Sequence, residues 1–193
     1  MQAIKTISGE VSVLDRSDVD TDQIIPASWL KRVERTGFGV GLFSAWREKD
    51  PDFVLNRQEH AGASILIAGP NFGVGSSREH AVWALEDYGF EAIVAPSFAD
   101  IFYSNCTKIG LLPVVLAEDE VRAVKESGNA SIDLAIQEVI WTGGEASFEI
   151  DQETKRRLME GLDDIGVTLQ QQDAIDRYEA ERERQGPVTT NLA

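Results

Sequence analysis

Cysteine and histidine are scarce in this sequence, which limits the chemistry that the chain can perform alone. Cys106 is the only cysteine, so no disulfide can form within the chain, and we expect it to be a small buried side chain. An iron–sulfur cluster needs three or four thiolates, which one cysteine cannot supply. The two histidines, His60 and His80, lack the spacing of metal ligands. Any metal chemistry must therefore come from another chain.

Long apolar runs are also missing. No run approaches the roughly 20 residues that a helix needs to cross a bilayer. The segment Met1–Lys5 lacks the apolar region of a signal peptide. We therefore expect a cytoplasmic protein without a membrane partner.

Basic residues are few, since the chain has 18 Lys and Arg against 33 Asp and Glu, a net charge of −15. This imbalance argues against a polyanionic partner such as nucleic acid. It does not exclude a small anionic substrate, because a local arginine and a helix N-terminus can outweigh distant charge.

The most informative stretch that is present is the glycine-rich segment Gly69–Ala81, with the sequence GPNFGVGSSREHA. It follows a short apolar run at 64–68 that predicts a buried strand. It precedes a helical pattern with Ala81, Ala84, Leu85 and Tyr88 on one face. In open α/β sheets, ligands bind at such strand ends, so we expect a site in this turn.

The residue types of this turn favour an anion. Gly73 and Gly75 can adopt positive φ angles and let a ligand approach the backbone. The first N–H groups of a helix have no acceptors within it and attract negative charge. Ser76 and Ser77 add hydroxyls, and Arg78 adds a planar fork that matches a carboxylate. The segment lacks the lysine of a phosphate loop and the third glycine of a dinucleotide-binding turn.

Three other interpretations of these residues remain. Ser76 and Glu79 have the spacing of a capping box, which makes Ser76 only a helix cap. Ser76 and His80 lie one turn apart, as in a hydrolase pair, but the G-x-S-x-G elbow is absent. The carboxylates at 18, 20 and 22 imitate a calcium loop but lack its glycine and terminal glutamate.

At 193 residues the chain is expected to form one domain, residues 1–193, ending in a helical tail from about 170 to 193. Repeated strand–helix alternation predicts an α/β core. We expect a hairpin or two strands at 4–14 and an irregular segment at 162–169. Ser97 is predicted to cap a helix that turns Phe98, Ile101 and Phe102 inward, and Asp151 is predicted to cap a helix that ends at Met159.

Several motifs together resemble the swivelling domain of the aconitase superfamily. The segment Asn71–Ala81 matches its signature, and four flanking motifs also match: DTDQIIP at 20–26, RTGFG at 35–39, APSFADIF at 95–102 and GLLP at 110–113. They are similar in particular to the small subunits of 3-isopropylmalate dehydratase, in their long bacterial form. The resemblance implies a β/β/α swivelling domain with a mixed sheet and flanking helices.

The resemblance also implies roles for individual residues. Ser76 resembles the alkoxide base, Ser77 a group that stabilises it, and Arg78 a carboxylate clamp. Asp22 resembles an orienting partner, and a second clamp is expected at Arg35 in preference to Arg32. The residues expected to bind substrate are Asp22, Arg32, Arg35, Thr36, Asn71, Gly73 and Gly75.

The same resemblance implies a partner. The family reaction isomerises 2-isopropylmalate through isopropylmaleate in leucine biosynthesis, with a four-iron–four-sulfur cluster held by a large subunit. This chain is then expected to bind no cofactor itself, to bind a small dicarboxylate, to form a heterodimer and to be inactive alone. Two alternatives stay open: a subunit of a related enzyme, such as homoaconitase or a methylmalate dehydratase, and an anion-binding regulatory module without catalysis.

Overall fold

The protein is described by a computed structural model that covers residues 1–31, 36–60 and 62–185. Its centre is a mixed sheet of seven strands in the order β4-β3-β2-β1-β5-β6-β7. The strands are β1 Thr6–Leu14, β2 Ile65–Ala68, β3 Ala92–Ala95, β4 Leu112–Val115, β5 Asn129–Asp133, β6 Glu138–Trp141 and β7 Gly144–Ser147. Within the described ranges the strands are accompanied by eight α-helices: α1 Thr21–Ile24, α2 Ser44–Lys49, α3 Glu79–Tyr88, α4 Asp100–Ile109, α5 Glu118–Ser127, α6 Gln152–Glu160, α7 Asp164–Leu169 and α8 Gln172–Gln185.

Strand β1 joins two kinds of sheet. Its second half pairs in parallel with β2, with Val11 opposite Ile65, and β3 and β4 continue this parallel part. Its first half pairs antiparallel with β5, with Thr6 opposite Asp133, and β6 and β7 extend this part as hairpins. The predicted mixed sheet with flanking helices is therefore confirmed. The predicted break within 4–14 is wrong, because Gly9 remains inside the strand, paired with Ala130.

The parallel strands are buried on both faces, and their side chains alternate between two apolar clusters. Leu66 of β2 joins a cluster with α3 and α4, whereas Ile65 and Ile67 join a cluster with α5 and α6. This burial explains the continuous apolar run at 64–68, since a parallel strand covered on both faces has no polar side. Pro113 lies in β4, which pairs only with β3 and is thus an edge strand, where proline is tolerated.

The C-terminal part is more helical than the sequence predicts. Asp151 caps α6 by accepting from the Thr154 N–H, as expected. The segment expected to be irregular contains α7, whose N-cap Asp163 accepts from the Gly166 N–H at 2.7 Å. The prediction failed because α7 is short and has no buried residue, and its Ile165 and Leu169 face outward. Within the described residues, no helix is both long and apolar enough to cross a membrane.

Candidate active site

The glycine-rich turn runs from the end of β2 to the start of α3, and the helix begins later than the capping pattern predicts. Its N-cap is Arg78, in an extended conformation and without a side-chain cap bond. Ser76 therefore lies two residues before the cap, and the predicted Ser76–Glu79 capping box is wrong. The reason is tertiary: the Ser76 N–H donates to the Thr21 hydroxyl at 3.2 Å, while the Ser76 carbonyl accepts from the Arg78 N–H at 2.8 Å.

A second segment, Asp18–Asp22, holds the turn from one side. The Gly73 N–H donates to the Val19 carbonyl at 2.8 Å, and the Thr21 N–H donates to the Val74 carbonyl at 3.0 Å. These bonds accompany a parallel β-bridge between Asp20 and Val74, which extends the parallel pairing of β1 with β2 beyond the ends of both strands. The backbone of the turn is thus fixed by hydrogen bonds to a neighbouring segment, while Ser76 and Ser77 remain exposed.

Arg78 and Asp22 meet across these two segments. The Arg78 Nη1 donates to the Asp22 Oδ1, with 25% of the arginine side chain and 57% of the aspartate side chain exposed. A pair this exposed stabilises the fold by at most about 1 kcal/mol. The pair therefore orients Arg78 rather than stabilising the fold. Asp22 holds the Arg78 guanidinium at the start of α3, where the helix dipole also attracts anions.

The predicted base and its neighbour lie at the open surface beside this pair. Ser76 and Ser77 are exposed, and Gly75 before them is exposed with φ +106°. Thr36 is also exposed. Arg32 and Arg35 lie outside the described residues. The structure brings Asp22, Ser76, Ser77 and Arg78 together, and their functional roles stay predictions.

Asn71 and Gly73, expected to bind substrate, make contacts that shape the turn. The Asn71 side-chain amide donates to the Asp18 carboxylate, and its backbone N–H donates to the Ser97 hydroxyl, both at 2.8 Å. Gly73 has φ +81°, and a Cβ there would overlap the Phe102 ring. Substrate contact at these two residues stays a prediction.

The contact with Asn71 also corrects the role predicted for Ser97. The N-cap of α4 is Ala99, which has no side-chain cap bond, so Ser97 does not cap this helix. Its hydroxyl is instead occupied by the glycine-rich turn, a partner distant in sequence. Phe102 is buried as predicted, whereas Ile101 is 55% exposed, because it lies on the outer side of α4.

His80 lies in an aromatic environment. Its ring is 5.4 Å from that of Phe38 and 4.6 Å from that of Trp83, measured between centroids. These contacts support the interpretation of His80 as a packing residue, rather than as the base of a hydrolase.

Thr21 was missed by sequence reasoning. It is 1% exposed, and it contacts the turn twice, through its N–H to Val74 and through its hydroxyl to Ser76. The only signal in the sequence is its position between two aspartates in the DTD motif.

Comparisons with known proteins agree with this architecture. The family model described as the aconitase C-terminal domain matches residues 1–119. A small subunit of 3-isopropylmalate dehydratase from Parafrankia sp. is 56% identical, and the match covers 98% of this chain and 100% of that protein. The chain belongs to the family of 3-isopropylmalate dehydratase small subunits.

Other members of the small-subunit family show the same extent of similarity. The protein of Streptomyces coelicolor is 52% identical over 100% of both chains. A second family model, which describes the C-terminal domain of the 3-isopropylmalate dehydratase small subunit, matches residues 164–188. The solved structure of 3-isopropylmalate dehydratase from Methanocaldococcus jannaschii has a TM-score of 0.69 and 29% identity, covering 90% of this chain and 99% of that chain. The aconitase-type fold expected from the motifs is thereby confirmed.

Proposed function

We propose that this chain is the small subunit of a hydro-lyase that isomerises 2-isopropylmalate to 3-isopropylmalate through isopropylmaleate in leucine biosynthesis. The observation that supports it best is the Arg78–Asp22 pair, which lies beside exposed Ser76 and Ser77 at the start of α3. The pair and the two serines form a candidate anion site with nearby hydroxyls. The chain is also 56% identical to a protein described as a 3-isopropylmalate dehydratase small subunit.

Binding of the dicarboxylate is the first task of these residues. Arg78 presents a fork that can hold a carboxylate in two parallel hydrogen bonds. The N–H groups at the start of α3 add donors to the same region. A second arginine, Arg35 in preference to Arg32, clamps the other carboxylate in this proposal, and Thr36, Gly75, Asn71 and Gly73 complete the substrate contacts.

Proton removal is the second task. The Ser76 alkoxide takes the proton from the carbon beside a carboxylate. The hydroxyl on the neighbouring carbon leaves with a proton from an acidic group that the large subunit would supply, which yields water and isopropylmaleate. Water then adds in the opposite orientation, and Ser76 returns the proton. A serine alkoxide needs donors and a cation nearby, and Ser77, the helical N–H groups and Arg78 supply them.

The leaving hydroxyl needs a Lewis acid, and the described residues of this chain do not fit one. Cys106 is its only cysteine and is completely buried. The described residues contain no group of three or more side chains suited to a metal. We propose that a large subunit holds a four-iron–four-sulfur cluster and forms a heterodimer with this chain. In this proposal the heterodimer is cytoplasmic and binds neither nucleic acid nor a membrane.

Reconstitution tests this function. The purified chain alone is expected to have no dehydratase activity, and activity on 2-isopropylmalate is expected when it is mixed anaerobically with a cluster-bearing large subunit. Ser76→Ala is expected to lower kcat by about 10³-fold, the usual contribution of a positioned acid or base. The rate is measured from the absorbance of isopropylmaleate.

The matched control is Ser147→Ala, since Ser147 is exposed on β7, far from the turn in the sheet order. It should leave kcat unchanged, and both variants should bind the large subunit as the wild type does. Turnover by the chain alone, or normal turnover by Ser76→Ala, would contradict the proposal. Faster turnover of citraconate or homocitrate analogues would favour a related enzyme.

A further inference from the structure

The C-terminal tail, defined here as Asp164–Gln185, exposes large apolar side chains. Its two helices hold six and fourteen residues. Ile165 is 69% exposed, Leu169 54% and Tyr178 61%. Among the side chains that the structure describes in the tail, none is buried. A helix pair without a fully buried side chain gains little from packing on this chain, and its exposed apolar side chains are typical of a protein–protein contact.

The start of the tail is nevertheless held in place. Arg157 of α6 forms an ion pair with Asp164, and the Leu162 N–H donates to the Arg157 carbonyl at 2.8 Å. Asp163 caps α7. These contacts fix the direction of α7 while Ile165 and Leu169, one helical turn apart, remain outside the core.

The tail begins near the first turn of α3, the helix that follows the candidate site. A cavity of about 370 Å³ is lined by Glu79 and Trp83 of α3 and by Ile165 of α7. Glu79 directly follows Arg78, the anion-binding residue of the site. The cavity therefore connects the first turn of α3 with Ile165 of α7.

A chain that completes the site must approach its exposed side chains. Ser76, Ser77 and Asp22 are open to solvent, and the described residues contain no group of three or more side chains suited to a metal. The tail also has the sequence pattern of the small subunits, because the model of their C-terminal domain matches residues 164–188.

We propose that Ile165 and Leu169 of the tail dock onto the large subunit beside the shared active site, with Tyr178 extending the contact. This inference rests on the proposed function, because it assumes that the site is completed by a large subunit. Apolar and aromatic side chains at the centre of an interface contribute most of its binding energy. The tail then contributes to binding of the large subunit, whereas the residues of the turn before α3 take part in the reaction.

A binding titration tests the proposal. The full chain with Ile165→Asp and Leu169→Asp is compared with the wild type, and the Kd for the cluster-bearing large subunit is measured anaerobically by sedimentation velocity. We expect Kd to rise at least about tenfold, as expected when interface anchors are replaced by charges. The Tm of the isolated chain and kcat at saturating small subunit should stay unchanged.

The control is Ile136→Asp, because Ile136 is similarly exposed, at 60%, in the turn between β5 and β6. It should leave Kd unchanged. A Kd of the double variant within twofold of wild type, or an equal rise in the control, would overturn the proposal. So would tail changes that dissociate a dimer of this chain but leave large-subunit binding intact. If the wild type itself fails to bind, the proposed function falls, and this inference falls with it.

Discussion

At the scale of single residues, Thr21 connects the two segments that form the candidate site. Its hydroxyl accepts the Ser76 N–H, and the next residue, Asp22, orients Arg78. Thr21 is almost completely buried, so it cannot itself meet substrate. It is a positioning residue in our interpretation, and its effect on the reaction passes through Ser76.

Thr21→Val tests this role, because valine keeps the shape and removes the hydroxyl. A lost hydrogen bond of about 1 kcal/mol predicts a five- to tenfold lower kcat in the reconstituted enzyme, provided that the bond positions Ser76 in the transition state. Thr21→Ser should restore most of this loss, since it returns the hydroxyl. The two kcat values are measured beside the Tm of each variant.

A loss in Thr21→Ser as large as that in Thr21→Val would contradict this role, because serine retains the hydroxyl that accepts from the Ser76 N–H. Normal kcat in Thr21→Val would show that the bond to Ser76 has no catalytic consequence.

At the scale of elements, the glycine-rich turn keeps its shape because Phe102 of α4 packs directly against Gly73. The Phe102 ring leaves no space for a Cβ, and the φ of +81° at Gly73 independently disfavours any other residue. Phe72, the preceding residue, packs edge to face on the same ring, with centroids 5.4 Å apart. The turn is thus clamped between α4 and the segment that follows β1.

Gly73→Ala should therefore destabilise the protein more than a glycine replacement that meets only the φ requirement. Gly128→Ala is the matched control, since its φ is +74° and nothing lies within 4 Å of the added Cβ. Strain at such a φ costs about 1 kcal/mol, whereas overpacking at Gly73 adds about 1–3 kcal/mol. The free energy of unfolding is measured in urea for both variants, and equal losses would contradict the clash with Phe102.

At the scale of the whole molecule, one sheet separates two apolar clusters, and Cys106 lies in the cluster shared with α3 and α4. Its side chain is completely buried. Burial raises the pKa of the Cys106 thiol well above its ordinary value, because the thiolate would lose its hydration. The thiol can react only when this cluster opens.

Alkylation of Cys106 should therefore report unfolding of the whole molecule. At pH 8 the native chain is expected to react with iodoacetamide more than about 100-fold slower than the same chain in urea. A raised folded-state pKa stabilises the fold below the ordinary thiol pKa, and this contribution is lost as pH rises above it. Mass spectrometry measures the labelled fraction, and fast labelling of the native chain would show that α4 opens locally.

Local patterns were sufficient for the parallel half of the fold. The apolar run at 64–68 predicted a buried strand, and β2 is buried on both faces at Ile65–Ala68. Asp151 was predicted to cap a helix and does so. Such predictions succeed because apolar periodicity and cap chemistry act over a few neighbouring residues.

Long-range contacts decided the candidate site. The sequence by itself determined which residue types are present, including Ser76 and Arg78 after a strand, and a single cysteine that excludes a cluster in this chain alone. Only the tertiary structure placed the start of α3 at Glu79 and Asp22 beside Arg78. It also placed the Thr21 and Ser97 hydroxyls where they accept hydrogen bonds from the turn. The physical reason is that these hydrogen bonds join residues 26 to 56 positions apart, where no local spacing rule applies.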